Sequence, residues 1–190
     1  MRVLAISGSL RAGSHNTALL EAAGEVLSAG GELERFAALA QVPPYSADED
    51  TDPAPPAVRR LREAIAGADA LLIATPEYNS SLPGQLKNAI DWVSRPFPDN
   101  VLRGKPAAVV GATTGRFGAV WAQAEARKTL GAAGARVLDR DLPVGQADRA
   151  FAPDGSLVDD ALNKRLRDLL GELAEEVEKT AVGATQALRA

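Results

Sequence analysis

The chain has no cysteine, and a single histidine, His15, serves all 190 residues. The first absence excludes disulfides, thiolate nucleophiles, iron–sulfur clusters and cysteine-based zinc sites. The second excludes a multi-histidine metal centre, so no metal ligands are assigned, and a Ser-His-Asp triad would have to be built on that one ring. Basic residues are not in excess: 21 Lys and Arg stand against 25 Asp and Glu, for a net charge of −4. An acidic balance argues against binding the phosphate backbone of nucleic acid. No apolar run approaches the roughly 18 residues of a membrane helix. At the N-terminus the apolar residues 3–6 give way at once to Ser7-Gly8-Ser9-Leu10-Arg11, too short and too soon charged for a signal peptide. Neither a membrane nor a nucleic-acid partner is expected, and the cytoplasm is the expected compartment.

Apolar residues make up 46% and charged residues 24% of the chain, the balance of a folded globular protein. The length suits one α/β domain, expected over residues 1–180, with a weakly patterned and frayed tail at 181–190. Short apolar strand-like runs alternate with helix-like periodicity. Strands are expected at 2–6, 32–36, 70–75, 107–112 and 135–138, and helices at 16–29, 57–66, 83–93, 119–130 and 159–179. Between the second strand and second helix, residues 40–56 hold Pro43, Pro44, Pro53, Pro55 and Pro56 with the acidic cluster Asp48, Glu49, Asp50 and Asp52. They read as a long solvated loop. Strands alternating with helices imply a parallel sheet covered on both faces, and five strands favour the order 2-1-3-4-5.

In such sheets ligands bind beyond the carboxyl ends of the strands, where the strand order reverses. The loop after strand 1 offers Ser9, Ser14, Asn16 and Thr17 as polar side chains, followed by the free N–H groups of a helix start. Arg11 can close on an anion with paired donors. The same residues would serve a plain helix N-cap through Ser14 or Asn16, and residue types alone do not separate the two readings. No G-x-G occurs in the chain and Gly104-Lys105 runs into Pro106, so both the dinucleotide fingerprint and the P-loop are missing. A phosphate held here would then be a single terminal one, as on a mononucleotide. After strand 3, Thr75-Pro76-Glu77-Tyr78-Asn79 sets an aromatic side chain on a rim where it can pack against a flat ring, or against the next helix. After strand 4 comes Thr113-Thr114-Gly115-Arg116-Phe117-Gly118. Trp92 and Trp121 fall on helices and read as core or subunit interface.

Two stretches carry a specific resemblance. Gly8-Ser-Leu-Arg-Ala-Gly-Ser-His-Asn16 and Pro76-Glu-Tyr-Asn-Ser-Ser-Leu-Pro-Gly-Gln-Leu-Lys-Asn-Ala-Ile-Asp-Trp-Val-Ser-Arg95 closely resemble the NAD(P)H-dependent FMN reductases, a family that includes quinone, azo and chromate reductases. The resemblance implies a flavodoxin-like three-layer sandwich, non-covalently bound FMN, NAD(P)H as co-substrate and a homodimer or homotetramer. Carried over by position, Ser9, Arg11, Ser14, Asn16 and Thr17 would hold the FMN phosphate. Pro76, Glu77, Tyr78 and Asn79 would line the isoalloxazine, met from the third loop by Thr114 and Gly115. Glu77 is expected to be structural, since hydride chemistry at the flavin needs no protein base. Arg116 and Phe117 occupy a loop that varies in the family and become candidates for the acceptor pocket. His15 stands where relatives carry a bulky residue, and the resemblance gives it no role. The implied reaction is hydride transfer from NAD(P)H to FMN and then to quinones, flavins, azo compounds or chromate, by a ping-pong mechanism. A flavodoxin-type electron carrier without a nicotinamide site is the alternative; Arg11 and the Pro-Glu-Tyr-Asn loop point away from it.

Overall fold

The computed structural model describes residues 1–27 and 30–187. Along the chain run β1 (Arg2–Ser7), α1 (His15–Leu27), β2 (Glu32–Arg35), α2 (Pro56–Gly67), β3 (Ala70–Ala74), α3 (Gly84–Val93), β4 (Pro106–Ala112), α4 (Val120–Ala132), β5 (Arg136–Val137), β6 (Pro143–Val144) and α5 (Asp160–Ala187). Ser28 and Ala29, the last residues of the expected first helix, lie outside the described residues, as do residues 188–190 of the expected tail. The strands pair in parallel in the order β2-β1-β3-β4-β5, the flavodoxin-like arrangement expected.

Burial follows from the pairing. β3 and β4, in the middle of the sheet, are buried at every residue, and their sequences ALLIA and PAAVVGA are accordingly apolar throughout. The edge strand β2, ELER, is charged and largely exposed, which discourages pairing with another chain. Side chains alternate across the sheet. Leu4, Ile6, Leu71 and Ile73 pack with Leu61 and Ile65 of α2, Leu86 and Ile90 of α3 and Leu130 of α4. Val3, Ala5 and Leu72 point the other way, to Leu19 and Leu20 of α1 and Leu166, Leu169 and Leu173 of α5.

Two features depart from the pattern in the sequence. The edge position beyond β4 is shared: β5 pairs with the start of β4 (Pro106↔Arg136), and β6 with its end (Gly111↔Pro143). Between them, Asp139, Arg140 and Asp141 cannot alternate into a core, and the chain leaves the edge before returning at Pro143, whose missing N–H is tolerable at a strand's first residue. The last helix continues to Ala187, past the residue 179 where its apolar spacing ends. It starts one residue later than expected because Asp159 is its cap: its Oδ1 accepts the N–H groups of Ala161 (2.7 Å) and Leu162 (3.2 Å).

The proline-rich loop is not simply solvated. It contains two short 3-10 turns, Leu39–Gln41 and Ala47–Glu49, and α3 grips it. Gln85 Nε2 donates to the carbonyls of Leu39 and Val42, Asn88 Nδ2 and Trp92 Nε1 both donate to Pro43 O, and Asn88 Oδ1 accepts the Tyr45 amide. Residues 85, 88 and 92 lie on one helix face, so one side of α3 satisfies loop backbone that no strand serves. Trp92 is completely buried, as expected for core, with Tyr45 edge-on to it at 5.0 Å. Asp50 of the acidic cluster pairs with Arg62 at 2.9 Å.

Candidate active site

Beyond the carboxyl ends of β1, β3 and β4, three loops close around a cleft of about 260 Å³. Backbone hydrogen bonds fix the strand ends against one another, from Gly8 N to Ala74 O (2.8 Å) and from Thr75 N to Val110 O (2.9 Å). The cleft lies at the β1/β3 switch point, where an open parallel sheet leaves room for a ligand. Its lining is Ser9, Arg11, Ser14, His15 and Asn16 from the first loop, Pro76, Glu77 and Tyr78 from the second, and Ala112, Thr113 and Thr114 from the third.

At the first loop both readings of the polar residues hold in part. Ser14 caps α1: its Oγ accepts the N–H groups of Asn16 (3.2 Å) and Thr17 (3.4 Å). Asn16 is buried and its amide is spent on β4, donating to Ala112 O and accepting the Ala112 N–H, both at 2.9 Å. It locks the helix start to the strand end. Thr17 Oγ1 donates to Ser7 Oγ at 3.2 Å, and Thr17 does not line the cleft. Ser9 and Arg11 remain open to the cleft. The guanidinium is exposed, with one bond to Gly13 O at 3.2 Å, and so can turn onto an anion at the helix N-terminus.

The second loop is a tight hairpin. Tyr78 and Ser81 exchange backbone hydrogen bonds of 3.0 and 3.1 Å, with Asn79 at φ 53° and Ser80 at φ 60°. Two left-handed residues between paired neighbours make a type I′ turn, for which Asn is suited and Ser is strained. The turn holds the Tyr78 ring out at the rim, 55% exposed, and leaves Asn79 on the turn itself, off the cleft lining. Glu77 bonds to the start of α4. Its Oε2 accepts the N–H groups of Trp121 (3.1 Å) and Ala122 (3.2 Å) in the first turn of α4. The residue before that helix, Ala119, has no capping side chain, so Glu77 serves as the cap from another loop.

The third loop is pinned to the segment after β6. Thr113 N donates to Val144 O, Ala147 N to Thr113 O and Gln146 N to Gly115 O, each at 3.0 Å. Gly118, at φ 57°, passes so close that a Cβ there would lie 2.5 Å from the Pro143 carbonyl carbon. Gln123 is fully buried, donating to Gly118 O (2.8 Å) and accepting the Leu142 N–H (3.0 Å). Gly115, Arg116 and Phe117 stand outside the lining. Phe117 instead meets Trp121 edge-on at 5.1 Å; the two rings are 63% and 49% exposed.

Sequence reasoning missed His15, Ala112 and Thr113 in the lining and Gln123 beneath it. Gln123 left a signal, a polar residue on the apolar face of its helix. Among the described residues no group of three or more His, Asp or Glu could hold a metal, and no helix is long and apolar enough to cross a membrane. One end of the cleft therefore presents the start of a helix, hydroxyls and a guanidinium to an anion, and the other presents proline, tyrosine and threonine to a flat ring. That donor set fits a flavin mononucleotide.

Comparison with known proteins agrees. Residues 1–149 match the NADPH-dependent FMN reductase family. An NAD(P)H-dependent FMN reductase of Pseudomonas aeruginosa is 45% identical over 174 residues, covering 91% of this chain and 93% of its own. A 2-hydroxy-1,4-benzoquinone reductase of a Burkholderia species is 41% identical over 127 residues, 67% of this chain and 68% of its own. Among solved structures, the flavoenzyme NAD(P)H:(acceptor) oxidoreductase FerB of Paracoccus denitrificans superposes with a TM-score of 0.83 at 37% identity, over 94% of this chain and 98% of that one. With the cleft, the sheet order and these relatives in agreement, the chain belongs to the NADPH-dependent FMN reductase family and is an oxidoreductase that works with FMN and NAD(P)H.

Proposed function

We propose that the cleft holds FMN with its phosphate at the start of α1 and its ring against residues 76–78 and 113–114. In this reading the enzyme reduces quinones first, with flavins, azo compounds and chromate as further acceptors, in the cytoplasm. The observation that carries it is the pairing of an anion-binding end with an aromatic rim in one cleft. Bound FMN supplies the hydride chemistry, taking up and giving away two electrons at its N5. The chain's own residues bind and orient. Ser9, Arg11 and the Ser14 hydroxyl would take the phosphate, at the positive end of the α1 dipole. Glu77 holds the second loop against α4 so that Tyr78 stays at the rim. Thr113 and Thr114 of the third loop would meet the ring's polar edge.

Nicotinamide and acceptor would use this one cleft in turn, since no second nucleotide fingerprint exists in the chain. Turnover would then be ping-pong. The name of the Burkholderia relative supports a benzoquinone-like acceptor, flat enough to occupy the place the nicotinamide vacates. The exposed Trp121 supports a homodimer or homotetramer, because a second copy covering it removes apolar surface from water. Steady-state kinetics with NADH or NADPH at several benzoquinone concentrations test the mechanism. Parallel double-reciprocal lines are expected; intersecting lines would reveal a ternary complex and defeat the shared cleft. Sedimentation velocity tests the assembly.

A further inference from the structure

His15 is the one titratable side chain of the cleft for which neither the family resemblance nor the mechanism has a use. We infer that its imidazole is a pH-dependent ligand of the bound phosphate, an inference that rests on the FMN reading of the cleft. His15 is the first residue of α1, beside the cap Ser14, and lines the same cleft as Ser9 and Arg11. Its ring lies parallel to that of Phe151, with centroids 6.3 Å apart and planes 1° apart. Phe151 is itself held by an antiparallel bridge to Leu157 and by the bond from Val158 N to Ala150 O. The imidazole is thus oriented by a fixed aromatic neighbour, while neither ring nitrogen has a hydrogen-bond partner among the described residues. A neutral imidazole offers one N–H donor, and an imidazolium offers two with a positive charge.

The charged groups on the neighbouring elements are mixed in sign and most have partners of their own. The first turn of α1 has no acidic residue. From the preceding loop comes Arg11, a second cation. From the second loop come Tyr78 and Glu77, whose carboxylate is bonded to the α4 amides. From the segment carrying Phe151 come Asp148 and Arg149, paired with each other at 3.7 Å, and Asp154, which is hydrogen-bonded by Ser156 and thereby held below the usual carboxylate range. A phosphate arriving at the helix N-terminus would meet Arg11 and His15 in the same cleft. Beside that anion the protonated ring would donate with a charge as well as an N–H, so binding should strengthen as the solution is acidified.

The test is titration of the apo-protein with FMN and with riboflavin at pH 6.0, 7.0 and 8.5, for the parent chain, His15→Phe and His15→Gln. His15→Phe keeps an aromatic ring to stack on Phe151, and circular dichroism and Tm confirm folding. The phosphate's own ionisation affects all variants alike and cancels in the ratio of dissociation constants, variant over parent. For FMN the expected ratio is near one to two at pH 8.5, growing about fivefold by pH 6.0, the difference between a neutral and a charge-assisted hydrogen bond. His15→Gln, which keeps a neutral donor, should show the same growth from a lower starting ratio. For riboflavin the ratio should stay flat. A flat ratio for FMN while FMN still binds more tightly than riboflavin would overturn the role of His15 and leave the cleft assignment standing. Equal binding of FMN and riboflavin by the parent chain would overturn both.

Discussion

Glu77 and Trp121 are 44 positions apart in sequence, yet the Glu77 carboxylate accepts the Trp121 amide at 3.1 Å and so begins α4 from the end of β3. One side chain closes two of the three site loops onto each other. Ser81, on the same hairpin, adds a hydrogen bond to Glu125 one turn further along α4. Losing an N-cap costs about 1 kcal/mol, and this one also joins two elements, so Glu77→Ala should lower stability by about 1–2 kcal/mol in urea unfolding. Glu77→Gln, which keeps an acceptor without the charge, should recover about half of that. The pH profile of flavin reduction should be the same in both variants as in the parent. A profile that loses an ionisation with stability intact would make Glu77 a proton donor and not a cap.

Arg11 is the exposed cation at the mouth of the phosphate end, with one bond to Gly13 O at 3.2 Å to give up. Arg11→Ala should weaken FMN binding by about 1.5–3 kcal/mol, the worth of a charged hydrogen bond, and leave riboflavin binding unchanged. Fluorescence titration of the apo-protein with each ligand reads both numbers. Equal losses for the two ligands would move Arg11 from the phosphate to the ring.

Asn16 looked from its sequence position like a phosphate ligand, and the fold gives its side chain other work. Its amide pairs with both backbone groups of Ala112 at 2.9 Å in a buried setting. Asn16→Ala leaves a buried N–H and a buried C=O without partners, so unfolding free energy should fall by about 2–4 kcal/mol. Asn16→Asp should be at least as damaging at neutral pH, because it turns the donor into a buried charge facing a carbonyl. Both should loosen FMN indirectly, through the α1 start, and riboflavin with it. Asn16→Ala with parental stability and a selective loss of FMN would restore the direct role.

How much of this was legible in the sequence depends on how local each feature is. The runs 70–75 and 107–112 announce buried central strands because both faces of those strands are covered. β6, two residues containing a proline, has no periodicity to announce it and exists only because Gly111 and Ala112 present an open edge. Residues 40–55 are the loop the prolines announce, with Pro56 opening α2, while the loop's attachment depends on Gln85, Asn88 and Trp92 meeting carbonyls more than forty positions away. That Arg11, Ser14, Pro76 and Tyr78 line the cleft was readable because strand ends locate them. The cap made by Glu77 was not, since the amides it binds belong to the backbone and leave no mark on residue identity.

Ser80 stands at φ 60° in the second position of the type I′ turn, where glycine is at ease and serine is not. Ser80→Gly should raise stability by about 0.5–1 kcal/mol by removing that strain, less the greater freedom of glycine in the unfolded chain. Because Tyr78 and Ser81 would keep their paired backbone bonds, the flavin spectrum should not change. Destabilisation would mean that the Ser80 side chain makes an unrecognised contact, and a shifted spectrum that the turn's shape matters to the ring.

Phe117 is the case where sequence position and structure pull apart. It sits on the strand-4 loop, as an acceptor-pocket wall should, but its ring turns to Trp121 and stays mostly in solvent, outside the cleft lining. An aromatic pair in that position can meet a flat acceptor projecting from the cleft, or a second copy of the chain. The two roles separate by measurement. Phe117→Ala removes a ring-on-ring contact of about 0.5–1.5 kcal/mol, so KM for a benzoquinone should rise about two- to tenfold. A compact non-aromatic acceptor, such as ferricyanide, should be unaffected. FMN affinity should change less than twofold, since the phosphate cradle is on a different loop. Arg116→Ala, its exposed neighbour, should alter acceptor preference in the same direction with the same indifference to FMN. If instead sedimentation velocity shows Phe117→Ala shifting toward monomer while KM for quinone stays constant, the pair belongs to an interface between copies, and the acceptor pocket ends at Tyr78 and Thr114.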